Sequence, residues 1–205
     1  MQRPTKILPS WVALVEIIRH LEEEPYHWPV ARNTLYAIAY VATRQGLPTG
    51  FVYHKGSFGP FSEDLKNAEA KLVNSNLLQE ERRGQMFLVK TGPNFEKVRK
   101  DFQWLIDKWM PIIEKTTDLF MRVNTDQAEV IATVMFSADA LKKEQRAEPT
   151  EFEVFEAVLR WKQKRRPPLD ETEVASTIRN LGMLRWLDIK PDPTLRVPDE
   201  DAISA

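Results

Sequence analysis

The chain has 205 residues, 42% of them hydrophobic and 10% aromatic, enough for one large or two small packed domains. Its 29 basic and 30 acidic residues nearly cancel, so the chain as a whole has no electrostatic drive toward nucleic acid. The absence of cysteine excludes disulfides, thiolate nucleophiles and cysteine zinc sites. With no long apolar run and no apolar signal core at the N-terminus, a globular cytoplasmic protein that does not enter a membrane is expected.

After a Pro-containing lead, Ser10 reads as an N-cap, and Trp11, Leu14, Val15, Ile18 and Leu21 share one face of the helix it starts. The helix runs into Glu22, Glu23 and Glu24 before Pro25, which sets carboxylates at the negative end of its dipole. Such a break with a local rule is either a tolerated solvated end or the mark of a function. Pro25-Tyr26-His27-Trp28-Pro29 is a stiff aromatic connector, with Pro29 suited to the first turn of a second helix. That helix is apolar almost all round from Leu35 to Ala42, which predicts packing on several sides, and Gly46 and Pro48 end it.

The segment from Tyr53 to Leu65 is the least ordinary of the chain. Gly56, Gly59 and Pro60 shape it as a loop, because Pro60 fixes its own φ and turns Gly59 away from helix. Tyr53, Phe58 and Phe61 either plug the core beneath them or face a partner. Ser62 then offers an N-cap oxygen, with Glu63 and Asp64 in the favoured first turn. The third helix extends to about Asn76 with Leu65, Ala68 and Leu72 on one face. Leu77 to Glu81 and Met86 to Val89, joined by a turn at Arg82-Arg83-Gly84-Gln85, read as a hairpin. Three helices and a two-stranded wing outline a winged-helix-like unit over 1–92.

From Asn94 to Val123 one long pattern runs through Phe95, Phe102, Trp109 and Phe120, with a kink expected at Pro111. A further helix spans about Thr125 to Lys143, and together they predict a connecting helical hairpin over 93–145. Thr150 with Glu153 forms a capping box, and Asp170 with Glu173 a similar start for a helix ending near Leu181. Met183 to Val197 repeats the helix-then-hairpin pattern of the first half, which suggests a second, degenerate winged-helix unit over 146–205 with an acidic tail from Pro198. The fold class is therefore mainly α with small β-hairpins.

Catalytic chemistry has little to work with. His54 and Ser57 are neighbours in sequence without a third group to orient a base, the histidines lack metal-ligand spacing, and Gly56-x-x-Gly59 lacks the Lys and the preceding strand of a phosphate loop. No enzyme activity, cofactor, metal or small-molecule substrate is expected. A DNA-binding winged helix would use Lys66 and Lys71 on the third helix with Arg82 and Arg83 on the wing, but Glu63, Asp64 and Glu69 oppose phosphates there. The basic run Arg160 to Arg166 suits a helix C-terminus. A protein-binding module remains.

The Gly-Ser-Phe-Gly-Pro-Phe-Ser-x-x-Leu core at Gly56 to Leu65 resembles the hallmark of the C-terminal domain of DarG antitoxins. It is more distantly similar to Panacea or SocA-like antitoxin domains. Trp11 to Ile18, the Tyr26-His27-Trp28-Pro29-Val30 connector and Gly46-Leu47-Pro48-Thr49-Gly50 also resemble the DarG form, so the similarity covers at least Trp11 to Leu78 and, in weaker outline, the rest. The chain departs from it at Tyr36-Ala37, where the family tends to Gln-Lys, and no contact is carried over to those positions. The resemblance implies a bacterial antitoxin that binds the DarT toxin, an ADP-ribosyltransferase acting on thymidine in single-stranded DNA, and blocks its substrate groove. Family members usually also carry an N-terminal macrodomain that removes ADP-ribose; this chain has none, either cut away or never present, and this piece is expected to neutralise by binding alone. A groove that holds single-stranded DNA is basic and lined for stacking, so its occupant is expected to offer carboxylates beside rings. Glu22, Glu23, Glu24, Tyr26 and Trp28 form such a corner, and with Tyr53, Lys55, Phe58 and Phe61 they make up the expected partner-facing set. The alternative is a winged-helix autoregulator of a toxin–antitoxin operon.

Overall fold

In chain order the elements are α1 (Pro9–Glu23), α2 (Arg32–Arg44), β1 (His54–Gly56), β2 (Gly59–Phe61), α3 (Glu63–Asn74), β3 (Leu78–Arg83), β4 (Met86–Thr91), α4 (Phe95–Asp101), α5 (Gln103–Phe120), α6 (Thr125–Gln145), α7 (Glu151–Lys162) and α8 (Glu171–Met183). The structure, a computed structural model, describes residues 6–198. It is mainly helical with two small antiparallel hairpins, β1–β2 and β3–β4. Contacts divide the chain into two units, Met1–Glu129 and Val130–Ala205, with the boundary inside α6.

In the first unit α1 is the central helix. Pro9 takes its first position, where a missing N–H is no loss, so Ser10 is not the cap but is buried inside the first turn. Val12, Ala13 and Ile17 are buried as fully as the expected stripe of Trp11, Leu14, Val15, Ile18 and Leu21, because α2, α4, α5 and β4 all pack on this helix. Helix α2 is likewise buried on most sides. It closes with a Schellman motif: Gly46 sits at φ 106°, its N–H donates to the Thr43 carbonyl, and Leu47 N–H donates to that of Ala42. Helix α3 starts as expected, with the Ser62 hydroxyl accepting from Leu65 N–H at 3.3 Å.

The wing pairs Leu78 with Thr91 through Arg83 with Met86, so Arg82 and Arg83 lie in the strand and the turn is at Gly84-Gln85. Ala31 adds a single antiparallel bridge to Leu88, and Val89 N–H donates to the Val30 carbonyl at 2.8 Å. The order α1, bridge, α2, α3, β3, β4 is that of a winged helix, with β1–β2 inserted where the helix-turn-helix turn would be. The two ends of the wing meet at a neck. Gly92 N–H donates to the Leu77 carbonyl at 2.9 Å, Asn94 N–H donates to that of Asn76 at 3.0 Å, and a Cβ on Gly92 would lie 2.2 Å from the Asn76 oxygen.

Beyond residue 92 the chain does not begin a separate body. Helices α4 and α5 pack on α1, and α5 also on α2, joining the same core through Phe95, Ile106, Ile113 and Phe120. The helical hairpin expected over 93–145 is thus divided, since Val130 to Gln145 of α6 belong to the second unit. The long pattern breaks at Phe102, while α5 continues through Pro111. Within α1 and α4 a buried ionic cluster forms: Glu16 is fully buried, and Arg99 grips it with Nε at 2.7 Å and Nη2 at 2.9 Å. Arg19 Nη2 adds a bond at 2.9 Å. Burial pushes the Glu16 carboxyl up, but the Arg99 and Arg19 guanidiniums outweigh it and hold the group at about 2, below its usual 4.5.

In the second unit the Thr150–Glu153 capping box opens α7, and Asp170 caps α8 by accepting from Thr172 and Glu173 N–H. The second hairpin expected over Met183 to Val197 does not form. Arg185, at φ 58°, ends α8 in a Schellman motif, with Trp186 N–H donating to the Leu181 carbonyl at 2.8 Å. Asn76 ends α3 in the same way, with Leu77 N–H donating to the Leu72 carbonyl. The likeness between the halves is therefore a shared helix stop followed by apolar residues. After α8, Pro191 and Pro193 lack the N–H groups a strand ladder needs, and only a bridge of Lys190 to Thr150 remains. The acidic residues from Asp199 lie outside the described range.

Candidate functional site

The Gly-Pro-aromatic segment is a miniature hairpin instead of the expected loop. His54 pairs with Phe61, Lys55 with Pro60 and Gly56 with Gly59, which leaves Ser57 and Phe58 as a two-residue turn. Gly59 sits at φ 116°, and a Cβ on Gly56 would come 2.7 Å from the Phe61 Cβ and 2.9 Å from the Gly59 carbonyl oxygen. Both glycines are thus required by the turn, and Pro60 is tolerated because a two-stranded ribbon has free edges. The result is a second strand buried at Gly59 and Pro60 and a Phe58 ring that is 64% exposed at the tip.

The base of this hairpin is anchored to the core. Trp11 Nε1 donates to the Thr49 carbonyl at 3.1 Å and its ring stacks on Phe51 with centroids 6.0 Å apart. Tyr53 meets Tyr40 edge-on at 5.1 Å and Phe51 at 6.3 Å, and burial pushes its phenol above the usual value. Tyr53 therefore serves the fold, whereas Lys55 is exposed on β1.

Phe61 is half-buried between His54, at 5.4 Å, and Tyr36 of α2, at 6.2 Å. Asn33 and Tyr36 face the tip and base of the hairpin across a groove of about 350 Å³. The Tyr36 ring is held in place by a polar chain that joins α2, α3 and β3. Its hydroxyl donates to Glu69 at 2.7 Å, Arg32 Nε donates to the other Glu69 oxygen at 3.1 Å, and Arg32 Nη2 donates to Glu80 at 2.5 Å. The Arg32 guanidinium also lies 4.3 Å over the Phe87 ring. Burial pushes the Glu69 carboxyl up to about 7; Glu80 pushes the same way, and Tyr36 and Arg32 only partly offset them.

The acidic corner is taken up differently from expectation. Glu22 is engaged by the wing, accepting from Thr91 N–H at 2.9 Å and from Thr91 Oγ1 at 2.6 Å. Glu23 pairs with Arg19. At Glu24 it is the backbone carbonyl oxygen, not the carboxylate, that lies 2.8 Å from His27 Nδ1. The rings of the corner remain open, Tyr26 at 90% and Trp28 at 57% exposure. Trp28 sits beside Met86 of the wing along a hollow of about 380 Å³.

The cations of the DNA-binding alternative are spread over α3 and the wing, where Arg82 and Arg83, as neighbours in β3, point to opposite faces. Lys71 lies 5.4 Å over the Trp11 ring, while Lys66 is exposed on α3 together with Glu63 and Asp64. Arg82 Nε donates to the Gly84 carbonyl at 3.1 Å, and Glu81 accepts from both Arg83, at 3.4 Å, and Lys90, at 3.0 Å. In the basic run, Arg165 and Arg166 donate to the carbonyls of Pro167 and Gln163 beyond the end of α7. Among the described residues no cluster of His, Asp or Glu is placed to hold a metal, and no helix is long and apolar enough to cross a membrane.

No family model matches the sequence, and no curated protein matches it. Sequence reasoning passed over Asn33, Tyr36 and Met86 as site residues. Tyr36 sits in a run that reads as core, and Met86 in a strand whose partner face is set by the distant connector.

Proposed function

We propose that this chain is the toxin-neutralising domain of a DarG-type antitoxin, binding a DarT-like DNA ADP-ribosyltransferase and occupying its single-stranded-DNA groove. One observation carries the reading: the segment on which the resemblance rests is a rigid hairpin that pushes Phe58 into solvent beside a groove. A core plug would turn that ring inward. The carboxylates that accompany it are Glu63 and Asp64, exposed at the start of α3 directly after the hairpin, in place of the engaged Glu22 and Glu23. An exposed ring with nearby carboxylates suits a groove built for stacked bases and phosphates. Tyr26 and Lys55 are further exposed members of the set. Autoregulation by direct DNA contact has less support, because Lys71, Arg82 and Arg83 are engaged within the fold.

The test is inhibition of ADP-ribosylation of a thymidine-containing single-stranded oligonucleotide by a purified DarT-like toxin. Phe58→Ala should weaken inhibition by at least roughly tenfold, as expected for an anchoring aromatic, with an unchanged melting temperature. The double variant Glu63→Lys, Asp64→Lys should weaken it further and flatten its salt dependence. Full inhibition by both variants would refute the reading.

A further inference from the structure

The connector–wing face is independent of the hairpin and shares no lining residue with its groove. Two hollows meet there, of about 380 and 300 Å³, with Pro29, Arg83 and Leu88 common to both. Trp28 and Met86, 57% and 49% exposed, wall the first, and Lys90 lines the second. Large exposed apolar side chains on two unconnected segments, the connector and a wing strand, meet at one place, which is a pattern of binding surfaces.

The charges on this face choose among occupants. Arg83 and Lys90 both lean on the single carboxylate of Glu81, which is exposed and held below its usual range by Lys90 first and Arg83 second. Two cations thus share one acid in solvent, an arrangement in which an incoming carboxylate can replace Glu81 on Arg83 at little cost. Glu22, already satisfied by Thr91, and Asp126 also line the face and would repel a run of phosphates. A single acid beside an apolar anchor avoids that repulsion.

We infer that this face binds a linear segment of a partner protein that carries a large apolar side chain, seated between Trp28 and Met86, and a single nearby Asp or Glu on Arg83. Occupancy of this face does not depend on the proposed toxin contact at Phe58, whose groove shares no lining residue with it.

A random heptapeptide phage library panned on the intact chain tests the assignment, with fluorescence anisotropy of labelled selected peptides and of labelled (dT)20 as the quantitative arms. Selected peptides should pair a large apolar residue with Asp or Glu one to four positions away, and Trp28→Ala should weaken them roughly tenfold or more. Arg83→Glu should reverse the selected charge to Lys or Arg, an outcome that a merely destabilised wing cannot give. Phe58→Ala should leave peptide binding intact. Failure to enrich any such motif, selection unaffected by Trp28→Ala and Arg83→Glu, or binding of (dT)20 that competes with the peptides would overturn the proposal.

Discussion

Replacing Glu16 with Gln removes the charge that holds Arg19 and Arg99 together while keeping the side chain's volume. The carboxyl is fully buried, and holding it at about 2 in place of the usual 4.5 is worth about 3 kcal/mol. Because the folded value is depressed, this contribution is complete above the unfolded value near 4.5 and is lost as pH falls through about 2. Uncompensated guanidiniums add a desolvation cost, so the variant should lose about 3–5 kcal/mol at pH 7. Urea denaturation followed by tryptophan fluorescence at pH 7 and pH 3 measures the difference. The gap between native and variant chains should narrow by about 2 kcal/mol at pH 3, since most of the native advantage is protonated away. A loss below about 1 kcal/mol at pH 7, or a gap independent of pH, would show that the cluster does not hold α1 to α4.

Glu69 behaves in the opposite sense. Its folded value is raised to about 7, so its contribution is full below the unfolded value near 4.5 and is lost as pH rises through about 7. Glu69→Gln, which does not titrate, should therefore gain on the native chain as pH rises from 5 to 8 in urea melts, and a difference that does not change with pH would refute the assignment. Gly92→Ala forces a Cβ against the Asn76 carbonyl at the neck and should destabilise the chain by about 3 kcal/mol or more, seen as a lowered thermal midpoint; a neutral outcome would mean that the neck can widen.

What the sequence reveals here is set by how local each determinant is. Ser62, Thr150 and Asp170 announce their helices because a cap acts within three residues. The role of Glu22 could not be read in this way, since its partner Thr91 lies 69 positions away and an acidic helix end looks the same whether solvated or engaged. The hairpin at Gly56 to Gly59 escaped for a different reason. Three-residue strands containing Gly and Pro carry no alternation, although the same residues do signal a constrained turn. The second wing was expected on a real likeness, apolar residues after a left-handed helix stop, but the backbone donors that decide strand formation are missing at Pro191 and Pro193. Of the site, the exposed tip was legible as an aromatic among turn residues, while its groove wall at Tyr36 depends on packing between α2 and the hairpin.

The neck at Gly92 has a consequence for motion. Because the carbonyls of Asn76 and Leu77 receive the N–H groups of Asn94 and Gly92, the residues just past α3 and the approach to α4 close around the wing like a clasp. The strands between them cannot fray from one end, as a free hairpin does; they must open together with the end of α3. Amide hydrogens across Leu78 to Thr91 should therefore exchange as one cooperative group with those of Leu77 and Gly92, which makes the wing a lever whose displacement is transmitted to α3 as a rigid step.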